Sequence, residues 1–165
     1  MSVDANPGGV PAATNVSEPP SPEAPEGDWT DWANLMPSVA ALGLECTAMD
    51  EERAEFVLDS RFFPLNANGA VNGGLLVSAA DQVMGVMAVR GARSHAYAFT
   101  ISMAAQFHRS AMPPILVRAE FVPGGKRVAF VNVEMEGADG VRCASAQGAL
   151  RMSAGERVEP AAPEG

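Results

Sequence analysis

One stretch of this chain, residues 74–92, reads as a long helix, and nearly everything around it reads as strand. That contrast constrains the fold more than any other feature. Leu75, Leu76, Ala79, Val83, Val86, Met87 and Arg90 recur at helical spacing, with Gly91 near the end. Small residues Gly74, Ser78, Ala79, Ala80 and Gly85 are expected to let a sheet pack closely around this helix. Gly85 lowers helix stability by about 1 kcal/mol relative to Ala. Upstream, residues 42–49 and 53–60 read as strands, and the second alternates Ala54, Phe56 and Leu58 with Arg53, Glu55 and Asp59. Downstream, residues 97–108, 115–122, 127–136 and 141–152 read as four more. The first of these has Phe99, Ile101, Met103 and Phe107 as candidate inward residues, and the second alternates Leu116 and Phe121 with Arg118 and Glu120. Pro123-Gly124-Gly125-Lys126 and Ala138-Asp139-Gly140 read as hairpin turns, because Gly and Asp tolerate the positive φ such turns need. Consecutive hairpins imply an antiparallel sheet. A short helix over residues 29–36, capped by Asp28 or Thr30 and disturbed by Pro37, leads in. The order predicts an α+β protein whose sheet curls round one long helix. The edge strands of such a sheet invite pairing with a second copy, so a dimer at least is expected.

The ends of the 165-residue chain are read as tails. Residues 1–28 hold six prolines among Ala, Ser and Glu, with almost nothing large to bury, and are expected to be disordered. Residues 154–165 read the same way. The domain is therefore expected over residues 29–153. Five acids and no base precede Trp29, and three acids against Arg157 follow Ser153, which leaves −2 on the domain out of a total of −9. The acidity is mostly a property of the tails, and the domain has no basic run that would track a nucleic acid. No apolar run approaches a membrane span of roughly 20 residues, and the N-terminus lacks a signal-peptide pattern, so a cytoplasmic protein is expected. Cys46 and Cys143 lack metal-type spacing; two free buried thiols are expected, with a single disulfide as the alternative. Neither phosphate-loop pattern is present.

The chemistry-bearing stretch runs from Asn66 to Asp81. A polar loop containing Asn66, Gly69, Asn72, Gly73 and Gly74 leads directly into the apolar helix, which carries one carboxylate, Asp81. Backbone N–H groups at a helix start attract a developing negative charge. An Asp among Leu, Val, Ala and Met needs a partner or a task. Each residue also has a plainer reading. Asp81 can cap a loop or pair with an Arg, Asn66 can hold its own turn, Gly73 and Gly74 can serve tight packing, Thr100 can be an ordinary strand residue, and the methionines can be core.

Over residues 42–152 the chain resembles the hotdog-fold acyl-CoA thioesterases, in particular the phenylacetic-acid-degradation (PaaI-like) branch. Members commonly read Asn-x-x-Gly-x-x-His-Gly-Gly with an Asp or Glu nine residues after the His. Here Asn66, Gly69, Gly73, Gly74 and Asp81 fall on that spacing, while Asn72 occupies the His position. Phe107-His-Arg-Ser-Ala111 looks like the strand end of the family, and Gly125-Lys126-Arg127 like its Gly-Lys hairpin. An Asn donates and accepts hydrogen bonds but carries no proton near neutral pH.

The resemblance implies a metal-independent, cofactor-free hydrolysis of a thioester to free acid and coenzyme A. The Gly73 N–H would polarise the carbonyl. Asp81 would act as general base on water or as a nucleophile forming a mixed anhydride. Asn66 and Thr100 would hold the water or orient the carboxylate. Asp81 of one subunit would meet the loop of another, in a dimer or tetramer. For the substrate, Gly74, Arg109, Lys126, Phe63 and Met84 are the candidate contacts, the two cations for coenzyme A and the apolar pair for the acyl group. Two rivals are carried along. One is a non-catalytic acyl-CoA-binding protein, prompted by Asn72. The other is a hydratase or dehydratase, disfavoured because such enzymes usually need the missing His.

Overall fold

In a computed structural model of the chain, the described residues are 18–59, 65–93, 96–125 and 127–154. Their elements run α1 (Glu26–Asn34), α2 (Pro37–Ala41), β1 (Leu44–Met49), β2 (Arg53–Leu58), α3 (Gly73–Gly91), β3 (Ala96–Phe107), β4 (Ile115–Pro123), β5 (Val128–Glu136) and β6 (Arg142–Ala154). The six strands form one antiparallel sheet in the order β1-β2-β4-β5-β6-β3, so β1 and β3 are its edges. This is the α+β, hotdog arrangement the sequence implies: a curled sheet around one long helix.

The core lies between α3 and the sheet. Ala79, Val83, Met84, Val86 and Met87 of the helix are buried with Phe56, Leu58, Ile115, Val117, Val131, Val133 and Leu150 of the strands. In β2 the alternation holds as read, with Ala54, Phe56 and Leu58 inward. In β4 it is offset: Ile115, Val117 and Ala119 are the buried set, while Leu116 shares the other face with Arg118 and Glu120. Close approach comes from two glycines. A Cβ on Gly148 would lie 2.5 Å from Met84 Sδ, and one on Gly91 would lie 2.3 Å from the Phe121 ring. Gly85, expected to serve that packing, has nothing within 4 Å of where its Cβ would be. Both cysteines are buried free thiols, and burial pushes the Cys46 thiol up to about 11.

Two further expectations are revised. Pro25, not Asp28 or Thr30, occupies the N-cap of α1, with no side-chain cap bond; the Thr30 hydroxyl bonds back to the Glu26 carbonyl at 3.1 Å. Pro37 does not merely disturb a helix but opens α2, where its fixed φ suits a first helical position. Ordered structure also reaches back into the stretch read as an N-terminal tail. Ala24 packs on the core, and the buried Arg90 guanidinium donates to the Pro22 carbonyl at 3.1 Å. The anchor is 68 residues away in sequence, which is why composition alone misses it.

Candidate active site

The glycine loop is held by its own side chains. Asn66 Oδ1 accepts from the N–H groups of Asn68 (2.9 Å) and Ala70 (3.2 Å), while the Asn66 and Ala70 backbones bond at 2.8 Å. Gly69 adopts φ +72°, a left-handed conformation that suits a residue without Cβ. Asn66 is therefore a turn residue here, with its carboxamide oxygen committed to the loop. The Val71 N–H then donates to the Ala111 carbonyl at 2.9 Å, which ties the loop to the segment after β3.

Asn72 is the N-cap of α3. Its Oδ1 accepts from the Gly74 N–H at 2.8 Å, and its carbonyl accepts from Leu75 and Leu76. The helix starts at Gly73, one residue before the predicted 74, which puts Asn72, a favoured capping residue, at the N-cap. The cap occupies the Gly74 N–H. The Gly73 N–H, at the first helical position, has no intrahelical acceptor.

Asp81 lies two turns along the same helix and is exposed. The expectation of a carboxylate enclosed by apolar side chains does not hold for a single chain. It does have a partner: Thr100 Oγ1 donates to Asp81 Oδ1 at 2.7 Å. A β-bulge makes this possible. The pairing of β3 with β6 runs Thr100↔Leu150 and then Ser102↔Ala149, which leaves Ile101 as the extra residue. Thr100 thus shares the α3-facing side with its cross-strand neighbour Leu150, and Phe99 turns outward, where the Arg151 guanidinium lies over its ring. The simple alternation expected through Phe99, Ile101, Met103 and Phe107 breaks at this point: Phe99 turns outward and Ile101 is 59% exposed, whereas Met103, beyond the bulge, packs on the core.

Gly73 and Asp81 are eight residues apart on one helix, or about 12 Å along its axis at 1.5 Å per residue. One chain therefore cannot present both groups to the same carbonyl. Of the other expected contacts, Met84 is fully buried beneath Gly148 and belongs to the core. Arg109 is exposed, 3.9 Å from Asp139. Phe63 and Lys126 lie outside the described residues. His108 meets Ser145 Oγ at 2.8 Å on an exposed surface. A polar groove of about 530 Å³, lined by Arg53, Glu55, Arg118, Glu134 and Arg142, has its cations paired with Glu120, Glu55, Glu136 and Glu134. Among the described residues no His, Cys, Asp and Glu side chains gather as a metal would require, and no helix is long and apolar enough to cross a membrane.

Residues 68–144 match the family model of the thioesterase superfamily. No curated protein matches the sequence. Among solved structures, AziG from S. sahachiroi is 24% identical with a TM-score of 0.65, covering 72% of this chain and 98% of its own. The PaaI protein from the E. coli phenylacetic acid degradation operon is 20% identical with a TM-score of 0.62, covering 76% and 93%. A hypothetical thioesterase protein from Streptococcus pneumoniae, solved with coenzyme A, is 16% identical with a TM-score of 0.60, covering 67% and 85%. The matched segment contains the helix cap, Asp81 and Thr100, and the fold around it is shared with these structures. Over residues 68–144 the chain is similar to the thioesterase superfamily, and its fold is the hotdog fold shared with these structures.

Proposed function

We propose that the protein is an acyl-CoA thioesterase whose site is shared between two copies. The observation that carries this reading is Asp81. It is fixed by Thr100 yet exposed, on the α3 face beside edge strand β3, about 12 Å from the Gly73 N–H of its own chain. A second copy along β3 supplies the missing half. The Gly73 N–H of one copy then polarises the thioester oxygen, while Asp81 of the other takes a proton from water. Hydroxide adds to the carbonyl carbon, the C–S bond breaks, and the thiolate leaves and is protonated. In the alternative path, an Asp81 oxygen adds to the carbonyl carbon, the C–S bond breaks to release the thiolate and leave a mixed anhydride, and water hydrolyses the anhydride to the free acid and the Asp81 carboxylate. Thr100 engages one carboxylate oxygen and leaves Oδ2 for the water or the carbonyl. One oxyanion donor contributes about 3 kcal/mol in the transition state. Arg109 is the candidate cation for coenzyme A phosphates that the structure describes, and its pairing with Asp139 is long and exposed. Structures solved with coenzyme A and with acetyl CoA among those of like fold support the ligand class.

A second reading, an acyl-CoA-binding protein without turnover, is favoured by Asn72, whose carboxamide oxygen caps the helix and which carries no titratable proton. Thiol release from a panel of acyl-CoA esters separates the two. Asp81→Asn is expected to lower turnover by about 10²–10⁴-fold while acyl-CoA binding persists. Equal turnover in variant and parent would remove Asp81 from the mechanism, and binding without turnover in the parent would establish the second reading. A fully active monomer in size-exclusion chromatography would contradict the shared site.

A further inference from the structure

The Gly73 position is shaped by a neighbour that the hydrolytic scheme does not use. A Cβ built on Gly73 would lie 3.2 Å from both Cε1 and Cζ of Phe107, and 3.8 Å from its Cδ1. The ring thus lies against the backbone unit assigned to the carbonyl, and it is 56% exposed although it is one of the larger apolar groups of the domain. Its cross-strand neighbour is the buried Ala144, so Phe107 projects from the α3 side of the sheet. On that side the chain divides sharply. Behind Phe107, Ala105 and Met103 continue along β3 packed on the core. Ahead of it come His108, Arg109 and Ser110, all exposed and polar. A thioester bound at Gly73 would have two directions to follow, and only the one along β3 is apolar.

We propose that Phe107 is the specificity-determining wall for the acyl group: it contacts the apolar carbons beyond the carbonyl and directs them along β3, leaving the polar side to coenzyme A. This rests on the acyl-CoA reading given above. It also supplies a reason for glycine at position 73 that lies in the protein itself, since a methyl there would compete with the ring.

The test compares hexanoyl-CoA with acetyl-CoA. Phe107→Ala is expected to lower kcat/KM for hexanoyl-CoA by about tenfold or more while changing acetyl-CoA by less than about threefold, the scale of losing a few methylene contacts. Phe107→Leu should restore most of the hexanoyl preference, and unchanged circular dichroism and Tm show that both variants fold. An unchanged hexanoyl-to-acetyl ratio, or a gain on hexanoyl-CoA, would overturn the assignment while leaving the thioesterase reading intact. If the parent binds both esters without turnover, the same ratio is read in Kd, with the same outcomes. A parent that neither turns over nor binds either ester overturns the acyl-CoA reading, and this assignment with it.

Discussion

Helix α3 begins and ends in opposite surroundings. At its start, Asn72 and Gly74 are exposed, the cap is a single carboxamide, and the nearest aromatic ring, Phe107, is more than half open to solvent. At its end, Arg90 is 4% exposed, its guanidinium 4.8 Å above the Trp29 ring and bonded to the Pro22 carbonyl, with Glu51 at 3.9 Å. Both ends answer the same physical problem. A helix terminus leaves polar groups unpaired and a partial charge exposed. At the C-terminal end the fold resolves it with a buried cation, which suits the negative end of the dipole. At the N-terminal end it is resolved only in part, and the Gly73 N–H stays approachable. The comparison separates a part that holds the domain together from a part to which the proposed function assigns the chemistry, and the two should respond to different mutations.

The largest effect on stability is expected at the closed end. Arg90→Met removes a cation–π contact and a charged hydrogen bond while keeping most of the side-chain volume. It should destabilise the domain by about 2–3 kcal/mol in urea unfolding. Two buried N–H groups in this clamp, Trp29 Nε1 and Arg90 Nε, lack a partner among the described residues, which keeps the expected loss from being larger. Turnover per folded molecule should not change, because no part of the clamp touches Gly73, Asp81 or Thr100. An Arg90→Met protein of parental stability would show that the closed end is not a clamp; one that folds normally but loses turnover would mean that the two ends are coupled.

Asn72→Ala probes the open end and should have a smaller effect. Loss of the bond to the Gly74 N–H leaves that donor to water, and the expected change is about 1 kcal/mol of stability. The informative comparison is with turnover. If capping is the only role of Asn72, kcat changes little once the protein is measured well below its Tm. A loss of kcat of tenfold or more, with Tm only slightly lowered, would give Asn72 a direct part in the reaction.

How legible these features were in the sequence follows from the kind of information each requires. The apolar face of α3 and the alternation of β2 were readable because each buries one face against one core, so a local period carries the whole message. β3 was readable as a strand, with Met103 correctly inward, but the facing of Phe99 and Ile101 was not. A single inserted residue at Ile101 reverses the parity, and nothing in Tyr97-Ala-Phe-Thr-Ile-Ser-Met announces it. The meeting of Thr100 with Asp81 depends on that bulge, and was available beforehand only through resemblance to a family. The Arg90–Pro22 contact joins two segments 68 residues apart and left no local trace in a stretch of Pro, Ala and Glu. Met84 shows the opposite failure: a methionine near a site invites a pocket reading, yet its place under Gly148 makes it core.

The smallest effect, and the one that best sharpens the contrast along α3, concerns its glycines. Gly85 and Gly91 look alike in the sequence, each a helix breaker in an apolar segment. Their surroundings differ: a Cβ on Gly85 meets nothing within 4 Å, whereas one on Gly91 would collide with the Phe121 ring at 2.3 Å. Gly85→Ala should therefore raise stability by about 0.5–1 kcal/mol through higher helix propensity and a less flexible unfolded chain. Gly91→Ala, near the clamped end, should lower Tm, because the ring must move to admit the methyl. Gly85 is four residues from Asp81, on the side of the helix where the shared-site scheme puts a second copy. A fall in Tm for Gly85→Ala would mean that the added methyl meets atoms outside its own chain, and the loss should then disappear on dilution to monomer.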